Sequence, residues 1–379
     1  MAFIYRDNII SKMSIHIACL MMIKNEEDTI INSLISIQNY IQTLIIYDTG
    51  STDNTIQIIR DFCNDFNIEM KLKEEEFINF EESRNRALQY AESFENIQYI
   101  LLLDSNDILD DGQPLLELCI EKEVSNETGF YISQEWYNNN NVDTYYNIKL
   151  IKPNTGWRYK GVVHEYIYND NETPEKNHYH IVLKQDRSFD NIKSQKRFAT
   201  DKQLLLKELE LEPTNSRNIF YLAQTCFCLK EYDLSLQNYL LRTKLTEGFK
   251  EEIFYSFLRC GDIIGIQGGN WYDAMVYYMK AYEQEQRVEP LVKIAQYYMC
   301  KESWMISFSF LSIACKLEYP SNSLLFVDKY MYNYVRWHLM GAVAFYCGEQ
   351  YKIDGRKACE KAIEAMDRDI DKNNLKCYL

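Results

Sequence analysis

Several things this sequence lacks narrow the field before any motif is read. No Cys-x-x-Cys pair occurs among its eleven cysteines, which are odd in number and scattered from Cys19 to Cys377. Cys226 and Cys228 lie too close together for a zinc knuckle, so the thiols read as reduced and mostly buried. No apolar run is long enough to span a bilayer. The longest, from Ile15 to Ile23, contains His16 and ends in Lys24-Asn25-Glu26. No small-residue cleavage site follows it, so neither a signal peptide nor a Golgi-type membrane anchor is expected. Basic residues are in deficit, 41 Lys and Arg against 56 Asp and Glu, a formal charge of −15. A chain that acidic makes a poor binder of phosphate backbones, and no nucleic-acid partner is expected. A Gly-x-Gly-x-x-Gly turn after the first apolar run is also missing, which argues against a dinucleotide-dependent oxidoreductase.

What is present is a globular balance: 46% apolar and 26% charged residues over 379 positions, a length that suggests two domains. Up to about residue 190, short apolar runs alternate with amphipathic stretches. Strands are expected at 15–23, 44–47 and 99–103, and helices at 27–37, 53–66 and 83–94. Continuous apolar strands separated by helices argue for a parallel sheet covered on both faces, with ligands beyond the carboxyl ends of the strands. The residues just after Ile23, Tyr47 and Leu103 are therefore the first candidates for a site.

From about Phe198 the strand signal stops. Ile219, Leu222, Ala223, Cys226 and Phe227 fit one helical face, as do Ala274, Tyr277, Tyr278, Ala281 and Tyr282. Leu222, Leu258 and Ile294 recur every 36 residues (258 − 222 and 294 − 258), close to the roughly 34 of a tetratricopeptide repeat. Leu236 stands where such a repeat expects a small residue. The reading is an α/β domain over 1–190 and an all-α helical-repeat domain over 191–379.

Four motifs carry chemistry. Lys24-Asn25-Glu26-Glu27 ends the first strand, and Asp48-Thr49-Gly50-Ser51-Thr52-Asp53-Asn54-Thr55 follows the second. Ser83-Arg84-Asn85-Arg86-Ala87-Leu88 opens a helix, and Asp104-Ser105-Asn106-Asp107 ends a third strand. The second motif alone could be a well-capped turn and nothing more. Together, from Ile17 to about Ile167, the four resemble a family 2 glycosyltransferase of the GT-A fold. The helical half is similar to the tetratricopeptide tails fused to a subgroup of these enzymes, including some that glycosylate peptides.

That resemblance implies an inverting transfer from a nucleotide diphosphate sugar, most often UDP-linked, assisted by Mn²⁺ or Mg²⁺. It implies that Ile23, Lys24, Asn25 and Glu26 line the base pocket and that Asp48 meets the base. Arg84 would lie against base and diphosphate, unless it is an exposed helix residue paired with Glu81. Asp104 and Ser105 would meet the ribose. The family's Asp-x-Asp signature would put an acid at position 106, where this chain has Asn106. A metal is expected on Asn106, Asp107 and His164, with a helix cap the alternative for Asp107 and a structural role the alternative for His164. Glu165, in a Gly-x-x-His-Glu segment that resembles one in this subgroup, is the candidate general base, with Asp107 the second catalytic carboxylate. A cap or salt bridge is the other reading of Glu165. His178 and His180 are the alternative cover for the diphosphate. Lys149, Lys152, Arg158 and Lys160 could offset local acidity or form a solvated strand face. Trp136 and Tyr137, beside a loop of asparagines from 138 to 141, could stack on a sugar.

A glycan, peptide or protein acceptor is expected, with self-association through the helical domain. The expected compartment is the cytoplasm, of a host cell or in a virion if the heavy use of Ile, Asn and Tyr reflects a viral A/T-rich genome. The rival reading is a transferase-derived module that has lost turnover and acts through its repeats, which Asn106 favours.

Overall fold

Aliphatic residues crowd the segments that become the central strands. The computed structural model describes residues 15–138, 141–174, 179–186, 191–321, 323 and 325–379. Strands β1 (Ile17–Ile23), β2 (Thr43–Asp48), β3 (Glu69–Glu74) and β4 (Tyr99–Leu103) lie side by side in the order β3-β2-β1-β4, all parallel. Every residue of β2 and β4 is buried, as a strand covered on both faces requires. Helices α1 (Ile30–Ile37), α2 (Thr55–Asp65) and α3 (Phe80–Glu92) make the crossovers. The core divides accordingly: Cys19, Met21, Leu44, Ile46, Leu101 and Leu103 pack on one face, and Ala18, Leu20, Ile45, Tyr47, Ile100 and Leu102 on the other.

The sheet is mixed rather than wholly parallel. Beyond β4 come β5 (Ile108–Leu109), α4 (Gln113–Glu121), β6 (Gly129–Asn138), β7 (Asn141–Ile151), β8 (Arg158–Lys160), β9 (Tyr166–Tyr168) and β10 (Val182–Asp186). The eight-stranded order continues β4-β7-β6-β10-β5, with β7 antiparallel to β4 and to β6. The β6–β7 hairpin carries Asn138 opposite Asn141, so strand pairing runs into the stretch expected as a loop. Cross-strand bonds override the poor strand propensity of asparagine there. Residues 139 and 140 lie outside the described residues. Strand β3 escapes a search for apolar runs because it sits at the sheet edge and sets Met70 and Leu72 among Glu69, Lys71, Lys73 and Glu74.

The chain divides into compact units at 1–196 and 197–379, close to the boundary expected at residue 190. Helix α5 (Asn191–Leu211) spans the division. After it come α6 (Ser216–Cys228), α7 (Tyr232–Arg242), α8 (Lys250–Ile266), α9 (Trp271–Gln284), α10 (Val288–Cys300) and α11 (Trp304–Ala314), then α12 (Arg336–Val343), α13 (Lys352–Ala365) and α14 (Asp369–Lys376). The repeat period holds in space. Leu222, Leu258 and Ile294 are all buried, one on the first helix of each pair.

The small residue that a repeat needs is Ser235, one place before Leu236. Its buried hydroxyl donates to the Ala223 carbonyl at 2.8 Å, and Ser307, two periods on, does the same to Ala295 at 2.8 Å. A Leu236-sized side chain at that spot would hold the two helices apart; Leu236 itself is only half-buried.

Arg242, at the end of α7, has no exposed side-chain surface. It donates to Glu252 Oε2 at 2.9 Å and to the carbonyls of Leu245 and Phe249, both at 2.9 Å. Removing one partner of such a pair leaves a buried charge and unpaired carbonyls. Arg242→Met should therefore cost about 3–5 kcal/mol in urea unfolding, and adding Glu252→Leu should return part of that loss. A cost below about 1 kcal/mol would put this pair in the class of surface ion pairs.

Candidate active site

The first two motifs are stitched to each other. Gly50 stands at φ +101°, a conformation that only glycine adopts without strain, and lets the chain turn at the end of β2. The buried Asp48 carboxylate accepts from the backbone N–H of Gly50 (3.2 Å) and Ser51 (2.9 Å) and from the Ser51 hydroxyl (2.5 Å). Ser51 Oγ in turn accepts from the Asn25 N–H at 3.0 Å, and Asn25 Oδ1 accepts from the Thr52 N–H at 2.7 Å. The Glu26 N–H donates to Thr55 Oγ1, the Glu27 N–H to Asp53 Oδ2, and the Asn54 N–H to Glu27 Oε2. Much of the polar content of both motifs thus builds the adjoining turns. Lys24 and Asn25 are exposed on that rim.

The ends of the central strands are level. Ile23 pairs with Asp48, and Met21 with Leu103. With strands about 4.8 Å apart, Asp48 and Asp104 flank the end of β1 along one sheet edge. Helix α3 aims its first turns at that edge. Its cap is Asn79, whose side chain accepts from the Glu82 N–H, and Glu81 and Glu82 complement the helix dipole.

Arg84 then spans two distant segments. Its Nη2 donates to Asp104 Oδ1 at 2.7 Å and its Nε to Glu165 Oε1 at 2.5 Å, with the guanidinium 5.4 Å from the Tyr159 ring centroid. Glu81 takes no part in this. It accepts from the Gly161 N–H at 2.6 Å, where φ is +109°. Asn85 clamps strand β8 with both ends of its amide, Nδ2 to the Tyr159 carbonyl and Oδ1 from the Tyr159 N–H. So Ser83-Arg84-Asn85 positions the loop that carries Glu165. His164, beside it, is exposed with φ +52°.

Lys149 on β7 closes the chain of charges. Its ammonium lies 3.1 Å from Asp104 Oδ2 and 3.2 Å from Asp107 Oδ2. Burial alone would lower its pKa, but the two carboxylates outweigh that and raise it. For Asp104, burial would raise the pKa, yet Lys149 and Arg84 hold it well below the usual carboxylate range.

Asp107 has no exposed side-chain surface. Its Oδ1 accepts from Gln185 (2.6 Å) and Gln134 (3.3 Å), and its Oδ2 from Lys149 and from the Asp104 N–H (3.0 Å). It is a buried brace for the strand end rather than a cleft-facing group. Asn106 is exposed, but its Oδ1 accepts from Gln185 at 3.1 Å. Ser105 is half-buried between them.

Of the basic cluster, Lys149 alone meets the acids of the strand end. Lys152 donates to the carbonyls of Lys122 and Ser125, Arg158 pairs with Glu92, and Lys160 lies 6.0 Å from the Tyr168 ring centroid. Trp136 packs on Tyr145 with ring centroids 4.4 Å apart, and the Tyr137 hydroxyl donates to Glu135. His180 is exposed with φ +56°, and His178 lies outside the described residues. The partners that sequence reasoning missed are Gln134 and Gln185; Glu81 and Asn85 were in view, but not their contacts with Gly161 and Tyr159. The two glutamines had a signal: both are polar residues at inward positions of apolar-flanked strands.

These residues, as arranged, do not fit a divalent cation. Each Asp104 oxygen already faces an organic cation, both Asp107 oxygens are doubly occupied, and Asn106 offers a neutral oxygen that is already an acceptor. Among the described residues, no group of three or more His, Cys, Asp or Glu side chains is placed to hold a metal ion.

Residues 19–193 match the family described as glycosyl transferase family 2. Over 103 residues the chain is 29% identical to the poly-beta-1,6-N-acetyl-D-glucosamine synthase of Staphylococcus epidermidis, covering 26% of this chain and 23% of that protein. It therefore spans less than a quarter of that relative's length. Solved structures that match part of the chain include MamA (12% identity, TM-score 0.34, 47% of this chain and 87% of that one). Another is S. aureus TarS 1–349 in complex with UDP-GlcNAc (14% identity, TM-score 0.33, 66% of this chain and 81% of that one). At those scores they bear on neither ligand nor chemistry here. Among the described residues, no helix is long and apolar enough to cross a membrane.

Because the folded-state pKa of Asp104 is depressed, its pairing adds stability that is present above the unfolded value of about 3.9 and lost as pH falls through that region. Thermal unfolding between pH 7 and 3 should show this, with Asp104→Asn flattening the acid limb. An Asp104→Asn profile parallel to the parent's would mean that Arg84 and Lys149 do not hold that carboxylate ionised.

Proposed function

We propose that the N-terminal unit binds a nucleotide diphosphate sugar, UDP-linked, and transfers the sugar with inversion to a hydroxyl, amide or thiol of a glycan, peptide or protein. The observation that carries this reading is the grip of Arg84 on both Asp104 and Glu165. It joins two of the four motifs and the segment that carries Glu165 at the end of β4, beside β1, where a ligand of such a sheet lies.

In that site the turn built by Asp48 meets the base, with Ile23, Lys24, Asn25 and Glu26 along its rim. Asp104 and Ser105 meet the ribose. The acceptor's nucleophilic atom attacks the anomeric carbon as the bond to the diphosphate oxygen breaks and its electron pair leaves with the nucleotide. Glu165 takes the acceptor's proton. Arg84 holds it through one oxygen, Oε1, which leaves the other for that work. No step is assigned to Asp107, whose oxygens are all engaged, or to His164 or a metal. The helical repeats serve to present a protein or peptide acceptor, or a second copy of the chain, and the cytoplasm remains the compartment we assign.

A second reading, a donor-binding module without turnover, is favoured by Asn106 alone. One screen separates the two: melting shift and hydrolysis over a panel of nucleotide sugars. UDP-N-acetylglucosamine belongs first in it, because the S. epidermidis relative is named for that sugar. Shift with hydrolysis supports the transferase; shift without it supports the module.

Two variants test the roles. Asp48→Asn keeps an acceptor for the turn but offers an amide where a base imide needs an acceptor, so the UDP-induced melting shift should vanish while the unliganded melting point stays within a few degrees. Glu165→Gln should keep that shift and lower transfer by about 10²–10⁴-fold. Unchanged turnover in Glu165→Gln would take the base role away from this residue.

A further inference from the structure

The lack of fit to a divalent cation conflicts with what a diphosphate leaving group needs, which is nearby positive charge. Resting on the donor reading above, we infer that Lys149 and Arg84 supply that charge and that the donor binds without a divalent cation.

The way the charges pair supports this. Asp104, Asp107 and Glu165 are three acids, and Arg84 and Lys149 two bases, all linked by contacts of 2.5–3.2 Å; the five sum to −1. An acid at position 106 would add a further negative charge at the same strand end and invite a metal. Asn106 does not. A divalent ion set against Asp104 would lie within a few ångströms of both a guanidinium and an ammonium, with no additional carboxylate to offset the repulsion.

The two organic cations also have donors to spare. An ammonium has three N–H bonds, and Lys149 spends one each on Asp104 and Asp107. The third is left for a phosphate oxygen without breaking either pair. Arg84 has five and spends one each on Asp104 and Glu165. Both side chains keep a little exposure, 13% for Lys149 and 18% for Arg84, which a group that touches a ligand needs. Burial of the rest of Lys149 in β7 fixes where its ammonium lies. When the bond to the sugar breaks, the electron pair stays on the diphosphate oxygen, and these N–H donors face it.

The test is thermal unfolding of the full chain with UDP, and with GDP and dTDP alongside, in excess EDTA and again in Mn²⁺. The expected result is a UDP shift of equal size in both. In EDTA, Lys149→Ala should weaken UDP binding at least about tenfold, while Lys149→Arg keeps most of it. A UDP shift that appears with Mn²⁺ and disappears in EDTA overturns the inference and leaves the donor reading standing. A shift in EDTA that survives Lys149→Ala overturns the assignment to Lys149. No shift from any of the three nucleotides, with or without Mn²⁺, overturns the donor reading and this inference with it. The wild-type comparison decides the metal question even where Lys149→Ala does not fold, and Lys149→Gln, close in length, then carries the side-chain test.

Discussion

Arg84 grips Asp104 with one nitrogen and Glu165 with another, and Lys149 carries the chain on from Asp104 to Asp107. Those five charges tie together helix α3, the end of β4, strand β7 and the loop after β8, which lie far apart in sequence. Each link is mostly desolvated, so each holds its neighbour more firmly than a surface pair would. The loop at 161–165 depends on it most. Glu81, one helical turn before Arg84, and Asn85, next to it, hold Gly161 and Tyr159 by their backbones. One helix thus sets both the position of Glu165 and the direction from which it faces the cleft.

The helical unit uses the same chemistry to a different end. Arg287 pairs with Glu289 and donates to the carbonyls of Leu325 (3.1 Å) and Phe326 (2.9 Å) while lying 4.2 Å from the Phe254 ring centroid. Like Arg242, it has no exposed side-chain surface. Both satisfy carbonyls of irregular segments that would otherwise be buried without donors. Exposure is what separates these braces from Arg84 and Lys149. A fully sealed cation has nothing left to meet, whereas a cation with a small open window and unspent donors does.

The central strands and the helical pairs were legible because they follow periods: continuous apolar runs for strands covered on both faces, 36-residue spacing for stacked helices. Strand β3 was not, since an edge strand with Met70 and Leu72 set among Glu and Lys residues buries little. The β6–β7 hairpin was not, because long-range pairing rather than local preference makes Asn138 and Asn141 strand residues. At the site, the sequence brought Asp48 and Asp104 into view as strand ends, and Arg84 and Glu165 through the family resemblance; Arg84 joins Asp104 to Glu165. Sequence spacing gave no means of ranking Asp107 against Asn106, because which of the two faces the cleft depends on Gln134 and Gln185 reaching across from β6 and β10. Lys149 was one of four basic candidates, and only the register of β7 against β4 singles it out.

An overall charge of −15 sits oddly with an anionic donor until distance is considered. At physiological ionic strength, exposed charges beyond about 8 Å are largely screened, so the acids scattered over the surface weigh little at the cleft. On the proposed reading, what a diphosphate feels is the local arrangement within the first few ångströms, where three acids share two cations, Arg84 and Lys149. In that setting the Asp-to-Asn difference at position 106 is not merely a lost ligand. On the donor reading proposed above, it removes a negative charge that would have had to be neutralised before any phosphate arrived, and the task of meeting the leaving group passes from a bound ion to side chains the fold already holds in place.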